Sequence, residues 1–164
     1  MPRADDLVKR AAFLAGLGGV AVSALAMRRA PAAQAYEVRH SDAEWRRILG
    51  NDRFTILRQG GTEWAGSSPL NAETRPGVYR CYGCDLDLFS SKVKYDAHEG
   101  WPSFWTVLPN ATRTRDDYEL GEKRTEVHCR RCGGHLGHIF DDGPAPTGLR
   151  YCIDGLALRF VPKR

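Results

Sequence analysis

The hydrophobic and polar positions divide the chain into three stretches of different character. Residues 11–27 form a run without charge that is rich in Ala, Leu, Val and Gly, and residues 41–59 place apolar side chains at helical spacing. The rest of the chain carries brief apolar segments, such as residues 77–79, 107–108 and 153–160, separated by Gly, Pro, Asn and Asp. Because such segments between turn-forming residues are typical of strands, the third stretch predicts a mainly β domain.

The second stretch predicts short N-terminal helices. Ser41 and Glu44 have the spacing of a capping box, and apolar residues follow at the spacing of one helical face, namely Trp45, Ile48 and Leu49. We expect this helix to end at Gly50. A second helical turn is expected over residues 52–59, stopped by Gly60 and the glycine after it.

The first 35 residues are typical of an export signal. Arg3, Lys9 and Arg10 precede the apolar run, and Ala33-Gln34-Ala35 has the small-x-small pattern of a cleavage site. We therefore expect cleavage after Ala35 and a location in the bacterial periplasm, and Lys9-Arg10 resembles a weakened twin-arginine signal. The alternative is an uncleaved membrane anchor, because 17 residues approach the length that spans a bilayer.

Size and charge favour a single globular domain over residues 36–164 and no nucleic-acid partner. The formal charge is +4, but the leader holds five of the 24 Lys and Arg and two of the 20 Asp and Glu, which leaves +1 for the remainder. A nearly neutral body without a basic block does not predict nucleic-acid binding. With 42% apolar residues, a chain of this length can bury one core.

Four of the five cysteines form two Cys-x-x-Cys pairs, Cys81 with Cys84 and Cys129 with Cys132. Two residues between paired cysteines let both sulfurs face one metal from a tight turn, so the pairs predict a structural Zn²⁺ with four thiolate ligands, one ion per chain. The 44 residues between the pairs would then form an excursion whose ends the metal joins. Redox dithiols or two structural disulfides are the alternatives.

The fifth cysteine, Cys152, is a candidate nucleophile. An odd thiol in an exported protein indicates reactivity or intermolecular pairing, while a buried inert cysteine is the alternative. In a strand, side chains alternate, so Arg150, Cys152 and Asp154 would share one face. A thiol between two charged side chains is not typical of a dry core, and the Arg150 guanidinium would favour the reactive thiolate.

Two histidines are candidate proton donors. If four cysteines hold the metal, His135 and His138 are not needed as ligands and are available for acid–base chemistry. A surplus zinc ligand is the main alternative for His135, and a structural role is the alternative for either histidine.

Several separated blocks resemble the MsrB methionine sulfoxide reductases. They occur in the family's order from about Ser41 to Phe160, and the two cysteine pairs match the zinc-binding branch. The blocks are Gly100-Trp101-Pro102-Ser103-Phe104, His135-Leu136-Gly137-His138 with the Ile139-Phe140-Asp141-Asp142-Gly143-Pro144 that follows, and Gly148-Leu149-Arg150-Tyr151-Cys152.

The resemblance implies a fold, a substrate and roles for residues. It implies two antiparallel sheets, with the active site on one face and the zinc at the far side. The substrate would be the R epimer of methionine sulfoxide in oxidised proteins. Cys152 would attack the sulfoxide sulfur and become a sulfenic acid, His135 and His138 would position the substrate and protonate its oxygen, and Trp101 would pack against its methyl group.

The sequence departs from the family at two positions. Many members carry a resolving cysteine where this chain has Glu99, and no sixth cysteine replaces it. We therefore expect an external reductant, either a thioredoxin-like protein or a small thiol, acting on a monomer. Asp154 stands where asparagine is usual, and its carboxylate is expected to oppose Arg150, raise the pKa of Cys152 and shift the activity profile with pH. The alternative is that Asp154 is protonated and acts as a hydrogen-bond donor.

Two alternative functions remain open from the sequence. The first is a zinc-stabilised binding module of the same fold with weak or no reductase activity, against which Cys152, Trp101 and both histidines argue. The second is reduction of free methionine sulfoxide, which would differ only in how the pocket treats the backbone on either side of the target.

Overall fold

The computed structural model describes residues 35–163, which form two antiparallel sheets and one kinked helix. The mainly β fold with two antiparallel sheets that the sequence predicts is therefore confirmed. The predicted export signal lies outside the described residues, apart from Ala35. Within residues 35–163, no helix is both long enough and apolar enough to cross a membrane.

Helix α1 (Asp42–Gln59) contains the two helical segments that the sequence predicts. Ser41 and Glu44 form the predicted capping box, because the Ser41 amide donates to the Glu44 carboxylate at 2.8 Å and the Glu44 amide donates back to the Ser41 hydroxyl. Gly50 interrupts the helix with φ 72° and ψ 170°, and Gly60 ends it in the left-handed conformation. Ile48 is 49% exposed and does not belong to the buried face.

Nine strands follow the helix within the described residues. They are β1 (Gly77–Cys81), β2 (Asp87–Ser90), β3 (Lys94–Tyr95), β4 (Ser103–Phe104), β5 (Thr112–Asp117), β6 (Arg124–Cys129), β7 (His135–Phe140), β8 (Arg150–Ile153) and β9 (Leu158–Pro162). The small sheet has the order β2-β1-β9, and the large sheet has the order β3-β4-β8-β7-β6-β5. Short 3-10 turns lie at Pro69–Ala72, Ser91–Val93 and Gly155–Ala157.

Two segments that the sequence predicts as strands differ in the structure. Residues 107–108 lie in a loop between β4 and β5, where the Leu108 amide donates to the Leu88 carbonyl at 2.9 Å and the Leu108 carbonyl accepts from the Ala111 amide at 3.2 Å. Residues 153–160 are not one strand, because a 3-10 turn separates the end of β8 from the start of β9 and the two strands belong to different sheets. The apolar pattern continues through this turn because Gly155 and Ala157 are buried and Leu156 is partly buried against the core.

Aromatic residues from both sheets form the core. The rings of Phe89 and Phe104 stack with centroids 4.3 Å apart, and Tyr79 meets Phe104 edge-on at 5.0 Å. Helix α1 adds the buried side chains of Trp45 and Phe54. Burial of such rings is the main favourable contribution to folding, and it fixes the sheets on which the candidate site is built.

Residues 36–38 pack against the turn that carries the second cysteine pair. The Val38 amide donates to the Arg131 carbonyl at 3.1 Å, and Glu37 pairs with Arg130. The ring of Tyr36 lies so close to Gly133 that a β-carbon there would come within 2.4 Å of it. These contacts make residues 36–38 part of the packed domain.

Candidate active site and metal centre

Strand pairing sets four polar side chains in a row across the large sheet. Ser103 of β4 pairs with Cys152 of β8, Cys152 pairs with His138 of β7, and His138 pairs with Glu126 of β6. Directly paired residues of antiparallel strands point to the same face. Residues that are far apart in sequence therefore lie side by side around the Cys152 thiol.

An irregularity in β7 brings His135 to the same face. His135 and His138 are three residues apart, so a regular strand would point them to opposite faces. The register of β6 with β7 shifts between Val127 and His128, which is the arrangement of a β-bulge. As a result the two imidazole rings lie 5.5 Å apart, and the Nδ1 of His135 reaches the Glu126 carboxylate at 2.8 Å.

The thiol of Cys152 opens into a small cavity of about 140 Å³. Three more of the predicted site residues contribute to its wall, and the full lining is Thr62, Trp101, Arg124, Gly137, His138, Phe140, Cys152 and Asp154. Gly137 has φ 145°, and a β-carbon on it would come within 2.1 Å of the Cys152 carbonyl oxygen. Only glycine allows β7 and β8 to approach this closely beside the thiol.

Glu63 holds two walls of this cavity together, and sequence reasoning assigned it no role. Its carboxylate accepts hydrogen bonds from the amides of Gly155 at 2.6 Å and Leu156 at 3.0 Å. Its carbonyl accepts from the Trp101 indole at 3.2 Å, and its amide donates to the Asp154 carboxylate at 3.0 Å. Glu63 therefore fixes Trp101 and Asp154 in relation to each other.

The carboxylate of Asp117 orients His138. Its Oδ2 lies 2.7 Å from the His138 Nε2 and also accepts from Arg124 at 2.5 Å. The Glu119 amide first, and then His138 and Arg124, lower the pKa of Asp117 to about 2. Burial lowers the pKa of His138, although Asp117 opposes that change, so the imidazole is neutral near pH 7.

His135 is enclosed by two carboxylates. Its Nδ1 bonds to Glu126, while its buried Nε2 has no hydrogen-bond partner and faces the Asp154 carboxylate at 3.8 Å. Burial acts to raise the pKa of Glu126, but hydrogen bonds from His135 and Arg115 outweigh it, so the net shift is downward. The Glu126 carboxylate fixes the orientation of the His135 ring and leaves Nε2 as the ring nitrogen that faces Asp154.

Burial controls the ionisation of the candidate nucleophile. It raises the pKa of Cys152 to about 11, with further increases from Asp154 and Glu99, while Arg150 acts in the opposite direction. Arg150 also forms a two-pronged pair with Asp142 at 2.7 and 2.8 Å, which neutralises much of its charge. Its effect has the predicted direction but does not outweigh burial, so the resting thiol is protonated at neutral pH.

Asp154 has a buried carboxyl group whose ionised form is unfavourable. Its side chain is 3% exposed, and burial raises its pKa to about 6, although the hydrogen bond from the Glu63 amide acts against that change. A carboxyl group with a higher pKa when folded binds protons more tightly in the folded chain. Its ionisation therefore destabilises the fold as the pH rises from about 4 to about 6.

Asp154→Asn is therefore expected to stabilise the domain. The amide oxygen can still accept from the Glu63 amide, and no buried charge remains, so the free energy of unfolding at pH 7.5 should rise by about 2–3 kcal/mol. The gain should shrink as the pH is lowered toward 4.5. Denaturant unfolding across this range measures it, with Asp52→Asn, which makes the same change at an exposed position of α1, as the control. A variant that is no more stable than the parent at pH 7.5 would contradict this assignment.

The four remaining cysteines converge into one cluster. The sulfur atoms of Cys81, Cys84, Cys129 and Cys132 all lie within 4.8 Å of one another, with contacts of 3.5 and 3.7 Å across the two pairs. Four thiolates bound tetrahedrally to Zn²⁺ at about 2.3 Å stand roughly 3.8 Å apart, so the geometry fits this metal. The cluster is a possible zinc site, as the sequence predicts.

The two cysteine pairs have the same backbone structure. In each, the amide four residues after the first cysteine donates to that cysteine's carbonyl at 2.9 Å, which joins Asp85 to Cys81 and Gly133 to Cys129. In each, the first cysteine's amide donates at 2.8 Å to the carbonyl five residues on. Two matching turns thus present four sulfurs to one point, and a four-sulfur centre leaves no position open for substrate.

Comparison with known proteins gives the family. The SelR domain matches residues 49–162. "Peptide methionine sulfoxide reductase MsrB" of Azotobacter vinelandii is 53% identical over 120 residues, which are 73% of this chain and 90% of that protein. Proteins of the same name from Agrobacterium fabrum and Leptospira interrogans are 49% and 47% identical, covering 77% and 76% of this chain and 94% and 96% of theirs.

The two antiparallel sheets, the four-cysteine cluster and the thiol at the edge of a cavity are the structural features of the chain that accompany this match. The chain belongs to the SelR family. The resemblance to the MsrB reductases that the sequence predicts is thereby confirmed. Among solved structures, a crystal structure of a Mis18 "Yippee-like" domain overlays 55% of this chain and 99% of its own at 18% identity, with a TM-score of 0.45.

Proposed function

We propose that the protein reduces methionine sulfoxide in oxidised proteins, with Cys152 as the nucleophile and the R epimer as substrate. The observation that carries this proposal is the cavity in which the Cys152 thiol faces Trp101 and His138. Membership of the SelR family supports it, since the relatives with high identity are methionine sulfoxide reductases by name. A thiol, an aromatic wall and an imidazole are what attack on a methyl sulfoxide requires.

The chemistry begins with a protonated thiol. Because burial holds the pKa of Cys152 near 11, its proton must leave as the sulfur attacks, and the sulfoxide oxygen must gain a proton. His138 and the Nε2 of His135 are the nearby groups that can carry protons in this step. The oxygen moves from the sulfoxide to Cys152, so methionine is released and the cysteine becomes a sulfenic acid.

An external thiol completes the cycle in this proposal. Four of the five cysteines belong to the metal cluster, and Glu99 occupies the usual place of a resolving cysteine. One thiol condenses with the sulfenic acid to give a mixed disulfide and water, and a second thiol displaces Cys152 from that disulfide. The donor is a thioredoxin-like protein or a small thiol, and the enzyme acts as a monomer.

We further propose that the cluster holds one structural Zn²⁺ per chain. Cys81, Cys84, Cys129 and Cys132 would ligate it as thiolates and tie the small sheet to the end of β6. The ion would supply folding free energy and no step of the reaction.

We also propose export to the periplasm with cleavage after Ala35. The packing of Tyr36 and Glu37 on the second cysteine pair supports a domain that starts at this point. Fractionation of expressing cells, with mass measurement of the purified chain, tests the proposal. A mature chain that starts at Tyr36 is expected, and a membrane-bound chain that keeps residues 1–35 would favour the anchor.

The test of the activity uses resolved substrates. Purified residues 36–164, loaded with zinc, are incubated with dithiothreitol and a peptide that carries either the R or the S sulfoxide, and reduction is followed by chromatography. Reduction of the R epimer alone is expected. If folded, zinc-loaded protein turns over neither epimer, the binding-module function replaces this proposal.

Asp154→Asn should also change how the rate depends on pH. Removing the carboxylate removes one cause of the raised pKa of Cys152, so the rising limb of the pH–rate curve should move to lower pH. The rate at pH 7 should increase on the order of threefold, a size typical of one nearby charge. Rates measured from pH 6 to pH 10 test this, and an unchanged curve would remove Asp154 from control of the nucleophile.

A further inference from the structure

A larger cavity adjoins the one that holds the thiol. It has a volume of about 550 Å³ and shares three wall residues with the smaller cavity: Thr62, Arg124 and His138. Its far wall is formed by the hairpin between β5 and β6, including Tyr118 and Leu120. We call this cavity with the two hairpin side chains the hairpin groove.

The charged residues along the hairpin groove are largely paired with one another. Arg115 pairs with Glu126, Arg124 with Asp117, and Asp116 with Lys123 at 3.0 Å. Paired charges offer little net attraction to a charged ligand. Apart from Glu119, the charged side chains of the lining thus leave little unpaired charge for a ligand, and the groove is suited to an uncharged substrate residue.

The hairpin exposes two large apolar side chains. Tyr118 is 61% and Leu120 is 74% exposed, and they are two of the four large hydrophobic residues exposed within residues 35–163. Large exposed hydrophobic side chains beside a reactive cavity are typical of a binding surface.

We propose that the hairpin groove binds the polypeptide on one side of the methionine sulfoxide, with an apolar substrate residue packed on Tyr118 and Leu120. This inference rests on the proposed function and deepens it. A methionine side chain inserted into the Cys152 cavity leaves its backbone at the mouth, and the groove continues from that mouth along Thr62 and His138. Three residues of extended chain span about 10 Å, so the proposal concerns substrate residues within three positions of the sulfoxide.

This arrangement defines a class of substrate. The enzyme would favour polypeptides in which an apolar residue lies close to the oxidised methionine. Free methionine sulfoxide carries no such residue, so it would gain nothing from the groove.

The test compares two peptides that differ only around the sulfoxide. One peptide carries a leucine on each side of the sulfoxide, within three positions of it, and the other peptide carries serine at the same two positions. N-acetyl-methionine sulfoxide methylamide serves as a short third substrate. Partial burial of one leucine side chain should lower KM about tenfold for the leucine peptide relative to the serine peptide. The double variant Tyr118→Ser, Leu120→Ser should lose this ratio, whereas Ile48→Ser, an exposed apolar residue of α1 outside the groove, should keep it.

The ratio of the two KM values is the readout, so a general loss of activity in a variant does not affect it. Equal KM values in the parent protein, or a ratio that survives in the double variant, would overturn the groove assignment. Failure of the parent protein to reduce any of the three substrates would instead refute the proposed function itself.

Discussion

Cys152→Ser should reduce the rate of methionine sulfoxide reduction by at least about a thousandfold, the scale typical of losing a covalent nucleophile. A serine hydroxyl is a far weaker nucleophile toward sulfur, and no other described thiol lies outside the four-cysteine cluster. The exchange removes no large apolar group, so the fold should remain intact. Rates on the R epimer, with thermal unfolding and zinc content measured alongside, check both statements.

Residual activity would contradict the assignment of the nucleophile. If Cys152→Ser retains more than a few per cent of the parent rate with a normal unfolding temperature, another group attacks the sulfoxide. A loss of zinc in this variant would show that Cys152 contributes to the metal centre.

Cys129→Ser should cost at least about 5 kcal/mol of unfolding free energy, because structural zinc sites contribute on the order of 10 kcal/mol and domains have margins of only about 5–15 kcal/mol. The sulfur of Cys129 is buried and lies 3.5 Å from that of Cys84. Without it, three thiols remain in the cluster. The cluster joins the cysteine pair at the end of β1 to the pair that begins at Cys129, so this connection is weakened as well. Thermal unfolding and zinc titration measure the effect.

Cys152→Ser is the matched control for this variant, because it makes the same chemical change away from the four-cysteine cluster. A Cys129→Ser protein that binds one zinc ion with unchanged affinity and unfolds like the control would contradict the four-sulfur site. Removal of zinc from the parent protein by a chelator should reproduce the destabilisation without any substitution.

Local patterns predicted those parts of the fold that depend on neighbouring residues. The capping box at Ser41, the break at Gly50 and the end at Gly60 each depend on a few adjacent positions, and all are present in the structure. The cysteine pairs are also local turns, and their fixed spacing was enough to predict that four sulfurs meet.

Features that depend on strand pairing could not be predicted in the same way. The apolar run over residues 153–160 is divided between two sheets, and its pattern does not show the division because Gly155 and Ala157 of the turn are buried like the strand residues before them. The bulge that turns His135 and His138 to one face exists only in the register of β7 against β6. The roles of Glu63 and Asp117 depend on hydrogen bonds across many residues, for which the sequence carries no local signal.

The electrostatics of the site show a related limit. The direction of each charge on Cys152 follows from its neighbours in sequence, since Arg150 lowers and Asp154 raises its pKa. The dominant cause, burial, depends on the packing of Trp101, Phe140 and His138 around the thiol, and only the structure shows its weight.

A single-turnover experiment without added thiol tests the central claim most directly. Reduced, zinc-loaded protein is mixed with an excess of the R-sulfoxide peptide, the methionine formed is counted, and dimedone is added to trap sulfenic acid before digestion and mass spectrometry. We predict about one methionine per chain, the dimedone adduct on Cys152 and all four cluster cysteines unmodified. Methionine formed without a change at Cys152, or a disulfide between Cys152 and a cluster cysteine, would contradict the account.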